Sequence, residues 1–518
     1  IGIIAALVIG IVIMIACRRM SRGKRFLIRG EAAIAMVLAV VVCVNMICFG
    51  PMSTLIGLAT GNGTLSDETN EEAAEVAEEI MEDGIVLLKN ESLLPLNETK
   101  KLNIFGWESI NPAYGGAGSG GINDLYDIVS LNQGLENAGF SINQELVDFY
   151  NNYGADNPEM SIQKQSWTLP EPPVDTYSDE LIKSAKEYSD VAVVVLSRKA
   201  GEGHDFPEGE HYLQLSQTER DMVDMVCSNF DNVIVVYNGA NQFELGFADE
   251  YPQIKSVVWC PGTGNVGFNA LGKVFSGEVN PSGKTPDTFI YDMTTAPWWN
   301  NAEKTEYTNL ADMAVEGMNA GTAQVYAPAF TNYVEGIYVG YKYYETAAQE
   351  GAIDYDKTVQ YPFGYGLSYT EFEQKMGELE EKDGQISVDV EVTNTGDVAG
   401  KDVVEVYYKP PYTNGGIEKS SANLIEFAKT DLLQPGESQT VTVTFSIEDM
   451  ASYDENNAKA YVLEKGDYVI SINSDSHTVL DQKTYTADKD VVYKGENKRA
   501  SDDTAAKNVF EDAKGDIT

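Results

Sequence analysis

Residues 191–217 read VAVVVLSRKAGEGHDFPEGEHYLQLSQ, and the six apolar positions that open the stretch, Val191 to Leu196, decide the fold. The run does not alternate between apolar and polar, so it reads as a strand buried on both faces, as in a parallel sheet between two helical layers. It breaks at Ser197 into Arg198, Lys199, Ala200, Gly201, Glu202, Gly203, His204 and Asp205. A glutamate between two glycines, just past the carboxyl end of such a strand, stands where open α/β sheets hold ligands. The glycines let the backbone approach a ligand closely. Glu202 is the first candidate for a catalytic acid; a solvated loop carboxylate is the alternative these residues leave open.

Working outward, strand and helix take turns. Thr69 to Met81 reads as an acidic helix with Ala73, Val76, Ala77 and Ile80 on its inward face, ended by Gly84. The run IVLLKN (85–90) and strands at 102–105, 233–237 and 256–259 are interleaved with helices near 131–138, 178–188, 216–229 and 266–275. That alternation implies βαβ units and a parallel sheet over residues 70–372. Its strand-end loops, Gly106-Trp107-Glu108, the Glu202 loop, Asn238 to Asn241 and Pro261 to Gly264, should gather on one edge. In YGGAGSGG (114–121), Gly116, Gly118 and Gly121 satisfy GxGxxG, but the first lies well beyond Phe105, outside the strand-to-helix turn that a dinucleotide needs. The loop reads as a glycine-rich border of the site, with Ser119 a candidate substrate contact. No cofactor is expected.

The chain has 518 residues, 36 basic and 80 acidic, for a formal net charge of −44. Such a surface repels nucleic acid and anionic lipid and leaves neutral ligands such as sugars compatible. The five cysteines (17, 43, 48, 227, 260) form no CxxC pairs, and His204, His211 and His477 show no metal-ligand spacing. Neither a disulfide framework nor a zinc site is expected.

The N-terminus follows another rule. Ile1 to Cys17 is apolar and uncharged, Arg18 to Arg29 carries six positive charges, and Ala32 to Gly50 is apolar again. Spanning helices need about 20 apolar residues, and a short basic loop belongs on the cytoplasmic side. Residues 1–58 thus read as a transmembrane helical hairpin at the cell membrane, placing the rest of the chain outside the cytoplasm. The first run is slightly short and begins without methionine, which suggests truncation upstream; a secretory leader is the rival reading.

From about Gly384 the pattern becomes strictly alternating. ISVDVEVTN, DVVEVYYK, TVTVTFSI and DYVISIN are separated by turn signals such as Asn394 to Asp397 and Gln434 to Glu437. Residues 384–485 read as an all-β immunoglobulin-like or fibronectin-III-like sandwich. Residues 486–518 form a polar tail.

Several motifs carry a resemblance. EDGIVLLKN (82–90) with LLPL (93–96), YGGAGSGG, GEGHD, PGTGNVGFNALGKVFSGEVNPSGKTPDTF (261–289), YVEGIYVGYKYYET (333–346) and YPFGYGLSYTEF (361–372) occur in the order found in family 3 glycoside hydrolases. The α/β stretch resembles their sandwich domain, and the β-rich stretch resembles the fibronectin-III-like domain that accompanies it. The resemblance implies a retaining β-glycosidase acting on terminal β-linked sugars, built from this domain and a TIM-type barrel. Retention needs two carboxyls about 5–5.5 Å apart, a nucleophile and an acid that later acts as base. In the family the nucleophile is a barrel aspartate, and the acid/base glutamate of the GEGxD pattern falls on Glu202. His204 and Asp205 would touch substrate or shape the loop. The arginine common after that aspartate is here Phe206, and Glu208 and Glu210 are rival acids. Some family members place the barrel last, and the tail resembles the approach to one. The expectation is that the barrel lies beyond Thr518 and that these residues alone hydrolyse nothing. A non-catalytic surface carbohydrate-binding or scaffold protein is the competing reading.

Overall fold

The structure is a computed structural model that describes residues 2–49, 67–116, 121–122, 126–157, 170–199, 211–301, 305–306, 309–319, 322–326, 329–330 and 333–502. It forms two units, residues 1–73 and 74–518.

In the first unit, helices α1 (Gly2–Ala16) and α2 (Arg22–Phe49) are joined by a short 3-10 turn, Cys17–Arg19. The expected basic loop is therefore shorter than the charge pattern suggested. Arg22 to Arg29 are helical, because long basic side chains are good helix formers and extend into solvent without breaking the backbone ladder. Residues 22–45 of α2 are long and apolar enough to cross a membrane, and little of that surface is buried.

The boundary falls within α3 (Asp67–Gly84), which is followed by β1 (Val86–Asn90) and β2 (Lys101–Phe105). Then come α4 (Leu131–Asn137), β3 (Ser141–Ile142), α5 (Gln144–Asp156) and α6 (Asp179–Tyr188). The series closes with β4 (Val191–Arg198), α7 (Gln217–Asn229), β5 (Asn232–Gly239), β6 (Ile254–Trp259) and α8 (Phe268–Ser276). The sheet order is β1-β6-β5-β4-β2-β3. All neighbours are parallel except β1, which runs antiparallel to β6. That departs from the expected all-parallel sheet. An edge strand entered straight from a helix needs no crossover and is free to take either direction. Its outer side is closed by Leu367, whose N–H donates to the Leu87 carbonyl at 2.9 Å.

The unbroken valine run of β4 serves two cores at once. Ala192, Val194 and Leu196 face one cluster, with Phe105, Tyr150, Val226 and Trp259. Val191, Val193 and Val195 face the other, with Leu135, Phe268, Leu271 and Phe275. Alternation along the strand divides the run between helical layers, which is why no polar position interrupts it.

Beyond residue 370 a second domain is built on two main sheets, with a small third one of Ser452–Asp454, Ala460–Leu463 and Val491–Tyr493. One holds β7 (Phe372–Lys382), β8 (Gln385–Asn394) and β11 (Ser438–Ser446). The other has the order β10-β9-β12-β13, from β9 (Val403–Lys409), β10 (Asn423–Lys429), β12 (Gly466–Asn473) and β13 (Val479–Ala487). Val388, Val390, Val404, Val406, Ile470 and Ile472 fill the space between them, as in seven-stranded sandwiches.

Candidate active site

Chain order reverses across the sheet between β2 and β4. From β2 the chain moves outward to β3, then returns to β4 and proceeds through β5 and β6 the other way. The crevice at the carboxyl ends of two such strands is where open α/β folds hold ligands. Of the loops expected to gather there, Gly106-Trp107-Glu108, Asn238 to Asn241 and Pro261 to Gly264 do so, whereas the Glu202 loop lies outside the described residues.

After β2, Gly106 turns the chain with φ of 104°. A Cβ there would sit 2.3 Å from the Val195 carbonyl oxygen of β4, so the close passage requires glycine. The Tyr150 hydroxyl accepts from Gly106 N at 2.6 Å, and Glu171 Oε2 accepts from Trp107 N at 2.6 Å. Glu171 also accepts from the Tyr177 hydroxyl. Burial raises its pKa to about 8, with the Tyr177 and Trp107 bonds working in the opposite direction. Asn238, at the end of β5 and wholly buried, ties the neighbouring loops together. Its Oδ1 accepts from Ala113 N at 2.6 Å and its Nδ2 donates to the carbonyls of Ala113 (3.1 Å) and Cys260 (3.0 Å).

At the end of β4 stands a buried clamp. Arg198 donates from Nε to the Tyr212 carbonyl (2.6 Å), from Nη1 to Ser197 O (2.8 Å) and from Nη2 to Gln214 O (2.7 Å). It meets Glu219 in a bidentate pair at 2.7 and 2.8 Å. All five N–H donors are thereby used. The guanidinium lies over the rings of Tyr212 and Phe243, 5.0 and 4.7 Å from their centroids. Burial alone would weaken its hold on the proton, but the Glu219 carboxylate more than compensates. Glu219 Oε2 accepts from Ser216 N, and the Ser216 hydroxyl accepts from Glu219 N, a capping box that opens α7. One side chain thus fixes both ends of the segment running from β4 to α7.

Glu202, His204 and Asp205 lie within residues 200–210, and Ser119 within 117–120; all four lie outside the described residues. The structure adds a pair that sequence reading passed over. Glu108, after β2, and Lys199, after β4, face each other across the switch point with Oε2 and Nζ 3.9 Å apart. That is beyond hydrogen-bond range, and both atoms are buried without a partner among the described residues. Burial raises the Glu108 pKa to about 8, against the pull of Lys199 and Arg198, and lowers that of Lys199. Trp107 Nε1, both polar side-chain atoms of Asn111, the Tyr237 hydroxyl and Asn241 Oδ1 share that condition. Buried polar atoms ordinarily find partners. These atoms are concentrated on one sheet edge, where their partners lie outside the described residues. The only sequence signal for Glu108 was its place at a strand end. Its pairing depends on β2 and β4 being neighbours, although they are far apart in the chain.

His211 Nε2 sits 2.7 Å from Glu244 Oε1, which also accepts from Met293 N at 2.7 Å. Among the described residues no cluster of His, Cys, Asp and Glu has the arrangement of a metal site.

Comparison with known proteins places this geometry. Residues 85–369 match the glycosyl hydrolase family 3 C-terminal domain, and residues 402–476 match a fibronectin type III-like domain. A beta-glucosidase of Ruminococcus albus is 33% identical over 426 residues, covering 80% of this chain and 41% of that protein. Beta-glucosidase A of Butyrivibrio fibrisolvens is 33% identical over 456 residues, covering 79% of this chain and 50% of the relative. Beta-glucosidase 3B from Thermotoga neapolitana, solved in complex with alpha-D-glucose, superposes with a TM-score of 0.68 at 30% identity, covering 82% of this chain and 55% of that one. The chain spans half or less of the length of these curated relatives.

Proposed function

The chain belongs to glycoside hydrolase family 3, and from that premise we propose that it supplies the acid/base domain of a retaining β-glucoside hydrolase, with Glu202 as the acid/base. The observation that carries the reading is the incomplete polar floor at the β2/β4 switch point, beside which the GEGHD segment leaves β4. An acid catalyst must hold its proton near neutral pH, which takes burial or a neighbouring negative charge. The same floor already raises the carboxyl groups of Glu108 and Glu171 to about 8.

In the first step Glu202 would protonate the glycosidic oxygen as the nucleophile, a barrel aspartate in this family, attacks the anomeric carbon. In the second step Glu202, now ionised, would take a proton from the water that releases the sugar. Arg198 would not touch substrate; it would fix the ends of the segment from which Glu202 acts. The named relatives make a β-linked glucoside the expected substrate. We read α1 and α2 as a membrane hairpin with the intervening positive charges inside, which leaves the enzyme outside the cytoplasm.

The test exploits leaving groups. In the intact protein, Glu202→Ala should slow hydrolysis of a disaccharide by about 10²–10⁴-fold, the usual contribution of a general acid. An activated aryl β-glucoside, which needs little protonation, should lose much less at the glycosylation step. Equal losses on both substrates would remove Glu202 from the acid role.

A further inference from the structure

The two domains of the second unit enclose a cleft far along the chain from the GEGHD segment. The sandwich contributes its sheet β10-β9-β12-β13. One face of β9 and β12, with Val404, Val406, Ile470 and Ile472, is committed to the sandwich core. Alternation sends Glu405, Tyr407, Ser471 and Asn473 to the opposite face. On an isolated sandwich that face would be solvated, yet all four are buried here. The cover is α9 (Tyr341–Gln349) together with Tyr355 of the α/β domain. The cover is incomplete, and a cavity of about 460 Å³ remains between the domains. A second cavity of about 290 Å³ adjoins it, sharing Gln349, Lys409 and Ser421 and bordered by Tyr338, Tyr343 and Tyr412.

Glu345, the carboxylate that lines the larger cavity, is already engaged. Glu345 accepts from the Tyr355 hydroxyl (2.6 Å) and the Ser476 hydroxyl (2.9 Å), and its other oxygen meets His477 Nδ1 at 2.9 Å. Lys409 Nζ donates to Gln349 Oε1 at 2.6 Å. That amide is neutral, so the ammonium keeps its charge where the two cavities meet; deeper in the larger cavity the open groups are neutral. Asn473, 2% exposed, lines the cavity with an Oδ1 that has no hydrogen-bond partner among the described residues. Gln482 brings a second amide to the rim, and Ser471 a hydroxyl to the floor. The wall is aromatic: Tyr355 and His477 stack at 3.7 Å and 10°, beside Tyr407 and Tyr408.

Amides and hydroxyls beside flat aromatic faces, with the one carboxylate of the larger cavity engaged and an ammonium only at its border, suit a ligand that is rich in hydroxyls and apolar on its ring faces. The volume falls within the roughly 300–1,000 Å³ of small-molecule sites, and a buried unpartnered amide oxygen is a standing demand for a donor. We infer that this interdomain cleft is a second, non-catalytic carbohydrate site, which holds a neutral saccharide chain across its two compartments. The inference does not rest on the catalytic role of Glu202.

The 518-residue chain, in a detergent without a sugar headgroup, is titrated calorimetrically with the β-1,4- and β-1,3-linked tetrasaccharides of glucose. Tetragalacturonate, an anionic chain, is the control. At least one glucose tetrasaccharide should bind and the anion should not. Asn473→Leu and Gln482→Ala should each weaken binding at least fivefold, whereas Glu202→Ala should change it less than twofold. Gln482 is exposed, so its truncation decides the matter even if Asn473→Leu disturbs the fold. Absence of binding, binding that Gln482→Ala leaves intact, or binding lost with Glu202→Ala would each overturn the proposal.

Discussion

Arg198 shows how much one side chain contributes to this architecture. Its five donors, its partner Glu219 and the Phe243 ring beside it are buried, so the pair exists only because each member satisfies the other. Arg198→Met should destabilise the α/β domain by about 3–5 kcal/mol, because it strands a buried carboxylate. Arg198→Lys should recover only part of the loss, since an ammonium cannot reproduce the bidentate fork. All five tryptophans lie between residues 107 and 299, so urea unfolding followed by tryptophan fluorescence reads this domain selectively. Glu171 offers a second test. Its folded pKa is raised to about 8 from the ordinary 4.5 of a glutamate, chiefly by burial. Between those values the folded chain holds a proton that the unfolded chain has released, so stability falls as pH rises through that window. The slope is at most about 1.4 kcal/mol per pH unit for this one group. Glu171→Gln keeps an acceptor for Trp107 N and should flatten the decline between pH 5 and 8. An unchanged slope would show that Glu171 is ionised in the fold.

At the scale of elements, the capping box of α7 is the most exposed support of the clamp. Ser216→Ala should cost about 1 kcal/mol in the same unfolding experiment, the usual worth of an N-cap. A larger loss would mean that releasing Glu219 N also loosens the Glu219 carboxylate from Arg198. The sequence made most of these elements legible. The valine run of β4, the turn-bounded strands after residue 384 and the helix before Gly84 each had a period with one interpretation. Three features had none. Helix α5 escaped because its sequence, QELVDFYNNYGAD, mixes aromatics with asparagines and carries only two fully buried positions, Leu146 and Tyr150. The antiparallel direction of β1 depends on its neighbour β6, which lies far along the chain. Arg22 to Arg29 counted as loop by charge and are helix by propensity. The site divides in the same way. The GEGHD motif is local and could be read, whereas the facing of Glu108 and Lys199 exists only once β2 and β4 lie side by side.

The molecule as a whole has an uneven charge distribution. Residues 1–58 hold six of the 36 basic residues and a single acid, Glu31, so the remainder is more acidic than the net −44 suggests. Cytoplasm and exterior are natural homes for the two signs if α2 crosses a bilayer. Leu27, Ile34, Val37, Leu38, Val41 and Val42 of α2 are all exposed, a contiguous apolar surface of a kind that monomeric soluble proteins rarely leave to water. Burying it in lipid accounts for the exposure, and a secretory leader would account for it equally until cleavage. The two readings separate experimentally. An anchored chain should stay in the membrane fraction through alkaline carbonate extraction, retain residues 1–58 by mass spectrometry of its N-terminal peptides, and become soluble when those residues are deleted. Recovery of a soluble chain whose first residue lies near Pro51 would show that α2 is removed and that the remaining chain is free of the membrane. Release of the intact chain by carbonate would show that neither helix spans, and the apolar face of α2 would then have to be covered by protein.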